Sequence, residues 1–465
     1  MLTNMWIRGF CVFALVIFVT LATIGACDDG GGGGQSNGDN VGVTPPGAPA
    51  PANLLSAADD AYEELLDIFN RIPADGCDVM NSKDFECNYW QLGNAFDTVI
   101  DYLIVNPSNA SAFADAVIKK YEVTAYTTWR CWYDDPGWWA VAAQRALEHP
   151  DLWSDDQIRK FEGMAGWNWH TMQAGVYVWD LATMDFNNLE PLFDGGIWNY
   201  FWTGDHIQDV CQTPCNPNDP TLANSVLCGR QNTVTNGLYL VAAAMRAVDN
   251  GDQFSEQAAT REFDFLNNWF FNFQGDPDYS LLYPLDSNLS DGPAVVRERV
   301  STFANGNQDS DFHSGLIWAG DQGLILGGLL RFTEAVPAHR DAVITLAMRI
   351  TDGVLEYLSD GTHFFPWSNV IDPTPSTIGG SPSGDDNDYN EGIGVYMRYL
   401  LYAYLTNNQM RQHLQDTGYP ELVLKFAEDF AAEDKGLCYP SETSCTSLVK
   451  NTNKLAALVA ALGMR

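Results

Sequence analysis

Basic residues are scarce in this chain. Its 465 residues carry 24 Lys and Arg against 60 Asp and Glu, a formal net charge of −36. A surface of that sign repels phosphate backbones, which argues against nucleic acid as a partner, and it suits uronate-bearing substrates poorly. Histidine is scarce too, at 7 residues. Only the isolated His206 lies near Cys211, Cys215 and Cys228, so a zinc site there is the weaker rival to disulfides. Regular strand alternation and a clear internal repeat are missing. The longest apolar run, Phe10 to Thr23, falls short of the roughly 20 residues a membrane span needs. The acidic runs Asp286 to Asp291 and Asp385 to Glu391 lack the spacing of an EF-hand calcium loop and read as solvated acidic loops. No metal and no cofactor is expected.

Apolar residues, by contrast, are plentiful. Hydrophobic residues make up 46% and aromatics 12% of the chain, enough for one large core or two ordinary ones. Residues 1–27 read as a targeting segment. Arg8 supplies the positive start, the apolar run follows, and Ile24-Gly25-Ala26-Cys27 resembles a bacterial lipobox. Cleavage before Cys27 and acylation of that cysteine would anchor the chain to a membrane from outside the cytoplasm; a plain secretory signal is the alternative. Residues 28–51 hold five glycines from Gly30 to Gly34 and the proline-rich Pro45 to Pro49, a composition that cannot bury enough surface to fold. They read as a tether for a monomeric domain.

Ten cysteines fit an oxidising compartment. Cys11 lies in the targeting segment and Cys27 is the lipid site. Local spacing pairs Cys77 with Cys87 and Cys438 with Cys445. Cys131, Cys211, Cys215 and Cys228 can pair in three ways, and a bridge from Cys131 would brace the segment that follows it.

From Ala52 onward apolar residues recur at helical spacing. The periodicity predicts helices over Leu54 to Ile72, Tyr89 to Ile104, Ala112 to Val123, Pro136 to Glu148, Ser154 to Ala182 with interruption at its glycines, and Thr233 to Val248. It continues over Phe254 to Phe273, Ile317 to Ala335, Ala338 to Leu358, Gly392 to Leu405, Glu421 to Ala432 and Leu448 to Leu462. Twelve helices without a sheet are what six helical hairpins closing into an all-α (α/α)6 barrel would give, so residues 52–465 are expected to form one such domain. The long loops Asn187 to Gln231, Gln274 to Leu316 and Ser359 to Asn390 mix aromatics with Asp and Asn, as a carbohydrate cleft does. Covering a barrel end is their plainer use.

The stretch Trp132-Tyr133-Asp134-Asp135-Pro136-Gly137-Trp138-Trp139-Ala140 holds two adjacent carboxylates between aromatic pairs at a loop-to-helix junction. Consecutive Cα atoms lie about 3.8 Å apart, so neighbouring aspartates in a turn can reach the roughly 5–5.5 Å carboxyl separation of retaining glycoside hydrolysis. Flanking tryptophans suit the C–H faces of sugars. Helix capping is the plainer alternative. Asp135 precedes Pro136, which pushes it out of the helical region and into the N-cap position. A cap that accepts backbone N–H bonds is favoured as the ion, the wrong state for a general acid. Residue type and spacing leave both uses open.

Tyr133-Asp134-Asp135 followed by Trp138-Trp139-Ala140 resembles the signature of glycoside hydrolase family 76, endo-α-1,6-mannanases built as (α/α)6 barrels. Asn232-Thr233-Val234-Thr235-Asn236 resembles its Lys-Asn-x-x-x-Asn helix start. Trp318-Ala319-Gly320-Asp321-Gln322-Gly323 with Leu326-Gly327-Gly328-Leu329 resembles its Trp-x-x-Asn-Gln-Gly…Gly-Gly-Leu helix, and Gly392-Ile393 with Arg398-Tyr399-Leu400 its Lys-Gly-Ile…Arg-Tyr-Leu segment. The resemblance implies Asp134 as nucleophile and Asp135 as general acid/base. It implies substrate contacts from Tyr133, Trp138, Trp198, Asn232, Asn236, Asp321 and Gln322, with a polysaccharide or oligosaccharide as substrate. Departures fall at Asp194 and Asn199 in the partial Gly-Gly-Ile-Trp match, at Asp321, where the family has Asn, and at Glu391, where it often has Lys. Two alternatives share the fold: a surface glycan-binding lipoprotein without turnover, and another α/α-barrel enzyme, a lyase or an unsaturated-uronide hydrolase.

Overall fold

The helical periodicity resolves into six hairpins. The computed structural model describes residues 52–72, 88–128, 133–185, 196–197, 200–201, 229–230, 232–251, 253–271, 280–284, 292–298, 315–369, 386–433, 438 and 445–465. The first three hairpins are α1 (Ala52–Asn70) with α2 (Tyr89–Val105), α3 (Ala110–Thr128) with α4 (Asp135–Glu148), and α5 (Asp155–Asp185) with α6 (Thr233–Asn250). The fourth is α7 (Gln253–Phe271) with α8 (Ala319–Ala335). In the fifth, α9 (Arg340–Tyr357) leads past the short α10 (Asp386–Asn390) to α11 (Gly392–Thr406); then α12 (Asn408–Asp416) precedes the sixth, α13 (Tyr419–Glu433) with α14 (Ser447–Gly463). Helix α2 packs on α4, α4 on α6, α6 on α8, α8 on α11, α11 on α14, and α14 back on α2. That closed inner ring inside an outer one is the expected (α/α)6 barrel.

The two rings differ in sequence for a physical reason. An outer helix buries one stripe: in α1, Leu54, Ala58, Ala61, Tyr62, Leu65, Ile68 and Phe69 are buried while the opposite face meets solvent. An inner helix is covered all round, and α8 is buried continuously from Ala319 to Leu330. Close packing there needs glycine. A Cβ on Gly323 would stand 2.8 Å from Tyr396 Cα, backbone against backbone, so α8 and α11 could not both keep their places.

The barrel axis is polar. Asn94, Asp97, Thr98 and Asp101 line the inward face of α2. Arg398 of α11 reaches Asp97 Oδ2 at 3.1 Å and donates to Thr98 Oγ1 at 2.9 Å and to Asn94 Oδ1. Arg145 of α4 pairs with Asp97 Oδ1 at 2.6 Å and with Asp101. Each buried charge thus meets an opposite one, the condition under which burial of ions is tolerated.

All twelve expected helices are present, with three local corrections. Helix α5 runs unbroken through Gly163 and Gly166, whose missing side chains would face open space. Ile317 lies in β1 (Leu316–Trp318), which pairs antiparallel with β2 (Trp367–Asn369), before α8 begins at Ala319. Helix α12 escaped the periodicity because only Met410 and Leu414 on it are buried. Cys438 and Cys445 form the expected disulfide. The targeting segment with Cys27, the tether, Cys77, Cys87, Cys131, Cys211, Cys215, Cys228, Trp198, Asp194, Asn199 and His206 lie outside the described residues. Among the described residues no helix is long and apolar enough to cross a membrane, and no group of three or more His, Cys, Asp or Glu could hold a metal.

Candidate active site

Every inner helix begins at the same end of the barrel, because each follows an outer helix running the other way. The connections into those starts are long, such as residues 186–232 and 272–315, whereas those at the opposite end are as short as residues 106–109 and 336–339. Six helix N-termini therefore gather at one mouth, each with unpaired N–H groups and a partial positive charge. Carboxylates collect there: Asp134 and Asp135 at α4, Asp321 in the first turn of α8, and Asp388 and Glu391 just before α11. Glu298 joins them, its carbonyl accepting the Thr233 N–H of α6 at 2.9 Å.

The capping expectation is corrected by one residue. Asp134 is the N-cap of α4, its Oδ1 accepting the Asp135 N–H at 3.1 Å, while Asp135 already lies in the helix with Pro136 behind it. Proline is accommodated at that second position because its missing N–H would have no partner in the first turn anyway. The objection to Asp135 as an acid thereby moves to its neighbour.

Both residues are half-buried. Burial raises Asp134 from 3.8 to about 7, against the pull of the backbone N–H groups of Asp134 and Asp135. Asp135 lies well above the usual carboxylate range, through burial first and then the charges of Asp134 and Asp388. Both carboxyls are thus pushed up, and because the charge on one opposes ionisation of its neighbour the pair loses its protons in two steps, so that one member can hold a proton while the other is the ion.

Aromatic packing fixes this end of α4. Trp139 Nε1 donates to the Tyr89 carbonyl at 2.7 Å, Tyr89 donates to Asn168 Oδ1 at 2.9 Å, and the Trp138 ring lies 5.5 Å from that of Trp90. Trp138 is itself buried; among the described residues the more accessible Trp90 and the half-buried Tyr133 are the aromatic surfaces at this end of α4.

Four of the expected contact residues have places in the framework of the mouth. Asn232 caps α6 through the Thr235 N–H at 3.0 Å. Asn236 holds both backbone groups of Ile197, accepting its N–H at 2.8 Å and donating to its carbonyl at 3.2 Å. Gln322 does the same for Val296, at 2.7 Å each way. Asp321 is wholly buried beside it. Asn236 and Gln322 spend their amides on backbone, as buried polar groups must, and so clamp mouth segments.

A second group went unread in the sequence. Gln91 Nε2 donates to Asp388 Oδ1 at 3.0 Å, and one turn deeper Asn94 Nδ2 donates to Glu391 Oε1 at 2.6 Å. Trp318 Nε1 holds the Tyr389 carbonyl at 2.7 Å, the Tyr389 hydroxyl donates to Glu298 Oε2 at 2.9 Å, and Asn453 Nδ2 holds the Asn390 carbonyl at 2.8 Å. A Cβ on Gly392 would stand 2.3 Å from Trp318 Nε1, so this clamp requires glycine there. Gly392 and Trp318 were the available signal; the acidic run around Asp388 gave none.

No family model matches the chain, and no curated protein matches it by sequence. Solved structures do. An inactive variant of an α-1,6-mannanase from Salegentibacter sp. HEL1_6, with two adjacent aspartates changed to asparagine and α-1,6-mannotriose bound, aligns at TM-score 0.58 and 15% identity over 89% of this chain and 100% of its own. The chain has the family 76 glycoside hydrolase fold. Dfg5 from Chaetomium thermophilum, in complex with glucosamine, aligns at TM-score 0.56 and 15% identity over 88% of this chain and 90% of its own. A family 76 α-mannanase from Bacteroides thetaiotaomicron aligns at 0.50 and 10% over 88% and 95%. At such identities the family 76 fold is what is shared, and the chemistry rests on the residues above.

Proposed function

We propose that the chain is a retaining glycoside hydrolase that cuts α-1,6-mannosidic or closely related α-linkages. One observation carries the reading: adjacent carboxyls, Asp134 and Asp135, sit half-buried at an inner-helix start, both pushed above the ordinary carboxylate range. The solved α-1,6-mannanase made inactive by replacing two adjacent aspartates supports it.

Asp134, held by backbone N–H groups, is the ionised member and attacks the anomeric carbon. Asp135 gives its proton to the departing glycosidic oxygen as that bond breaks. In the second step Asp135 takes a proton from water, the water oxygen attacks the anomeric carbon, and Asp134 leaves as the carboxylate. The buried carboxyls of the mouth also favour a neutral substrate over a uronate. The lipobox at Cys27 and the tether of residues 28–51 would place residues 52–465 outside the cytoplasm on a lipid anchor.

Incubation of the chain from Ala52 with unbranched α-1,6-mannan tests the reading. Release of mannooligosaccharides is expected. Binding to the polymer without release would instead make the chain a glycan-binding protein on a hydrolase fold, and neither binding nor release would end the mannan assignment.

A further inference from the structure

Asp388 belongs to none of the motifs that point to the mannanases, yet it is tied into the mouth. Gln91 reaches it from α2 at 3.0 Å. Its segment is held by Trp318 at the start of α8, by Asn453 of α14 and, through Tyr389, by Glu298. The next turn is tied to α2 again by Asn94 and Glu391. Helices α2 and α4 meet closely at this level: a Cβ on Gly93 would lie 3.0 Å from Trp138 Cβ and 3.1 Å from the Trp139 nitrogen. The first turn that carries Gln91, and through it Asp388, therefore faces the first turn that carries Asp135.

We propose that Asp388 is a positioning residue for the reaction, a fixed negative charge across from Asp135 that keeps the proton on that carboxyl until a leaving group takes it. The proposal rests on Asp135 as the proton donor. Rigid attachment matters, since a charge free to swing into solvent would be screened. The groups that bear on Asp135 are Asp134 beside it, Asp388 opposite and the Tyr89 hydroxyl at the start of α2. Glu391 adds little charge of its own. It is wholly buried, burial and Asp388 raise it well above the usual range against the pull of Asn94 and Arg398, and its Oε2 has no donor among the described residues. Asp388 is half-buried, and its Oδ1 accepts from Gln91 Nε2.

The test follows the Asp135 carboxyl carbon by NMR across a pH titration of the intact domain, assigned by its loss in Asp135→Asn. Asp388→Asn keeps an acceptor for Gln91, so the clamp survives while the charge goes. The Asp135 midpoint is expected to fall by about one pH unit or more, a tenfold loss of proton affinity, with the melting temperature held. Asp388→Glu should restore most of it, and Asp388→Ser, also uncharged, should repeat the fall. The alkaline limb of kcat/KM should move down in step. An unmoved midpoint in both uncharged variants overturns the proposal. The titration needs no turnover, so failure of the parent to cut mannan would overturn the functional reading and leave this one to its own result.

Discussion

Asp135→Asn is expected to end hydrolysis and, at pH 8, to make the protein more stable. Loss of a general acid/base removes about 10²- to 10⁴-fold in rate. The stability gain follows from linkage. Burial raises both Asp134 and Asp135 above the value of an unfolded aspartate, so between pH 4 and the folded-state values the folded chain binds more protons than the unfolded one. Stability then falls as pH rises through that window. Below pH 4 both states are protonated and the pair carries no penalty. Asparagine at 135 removes the neighbouring charge and the titration together, for a gain on the order of 2 kcal/mol at pH 8 and none at pH 4. Thermal melts of parent and variant at the two pH values check it. A variant no more stable at pH 8 than at pH 4, relative to parent, would show that the carboxyls are not held against their ionisation.

Arg398→Ala should be among the most damaging changes in the barrel. Arg398 is almost wholly buried, and its loss strips Asp97 of one of its two arginines and takes a donor from Asn94 and Thr98 at once. Removing one partner of a buried ion pair costs about 3–5 kcal/mol, because the remaining charge is stranded. Lysine should rescue little, since a point charge cannot bridge Asp97, Asn94 and Thr98 as the guanidinium fork does. Urea unfolding of Arg398→Ala and Arg398→Lys measures this, and a loss below about 1 kcal/mol would mean the polar axis is not a supporting element. Asn94 also carries Glu391, so the same variant loosens the segment that presents Asp388.

Much of the fold was legible because helical periodicity is local. Tyr62, Leu65 and Phe69 announce a helix without knowledge of anything else in the chain. The aspartate pair was legible for the same reason, being two residues at one junction. Its cap was misplaced by one position because proline is as well accommodated second in a helix as first. The other half of the mouth was not legible. Gln91 and Asp388 stand 297 residues apart and meet only because the inner ring closes. The run Asp385 to Glu391 looked like solvated acid, since nothing local reveals that Trp318 and Asn453 clamp it. Asn236 and Gln322 show the reverse case, a backbone role that their motifs do not reveal. Polar residues in a motif suggest a ligand, and their side chains here also hold backbone groups from segments far along the chain.

The most direct measurement of the central claim is proton NMR of the first product formed from an α-1,6-mannooligosaccharide, read before mutarotation. Double displacement on Asp134 with Asp135 as acid/base predicts an α-anomeric reducing end, with no product from Asp134→Asn or Asp135→Asn. A β-anomeric first product, or undiminished release by either variant, would contradict it.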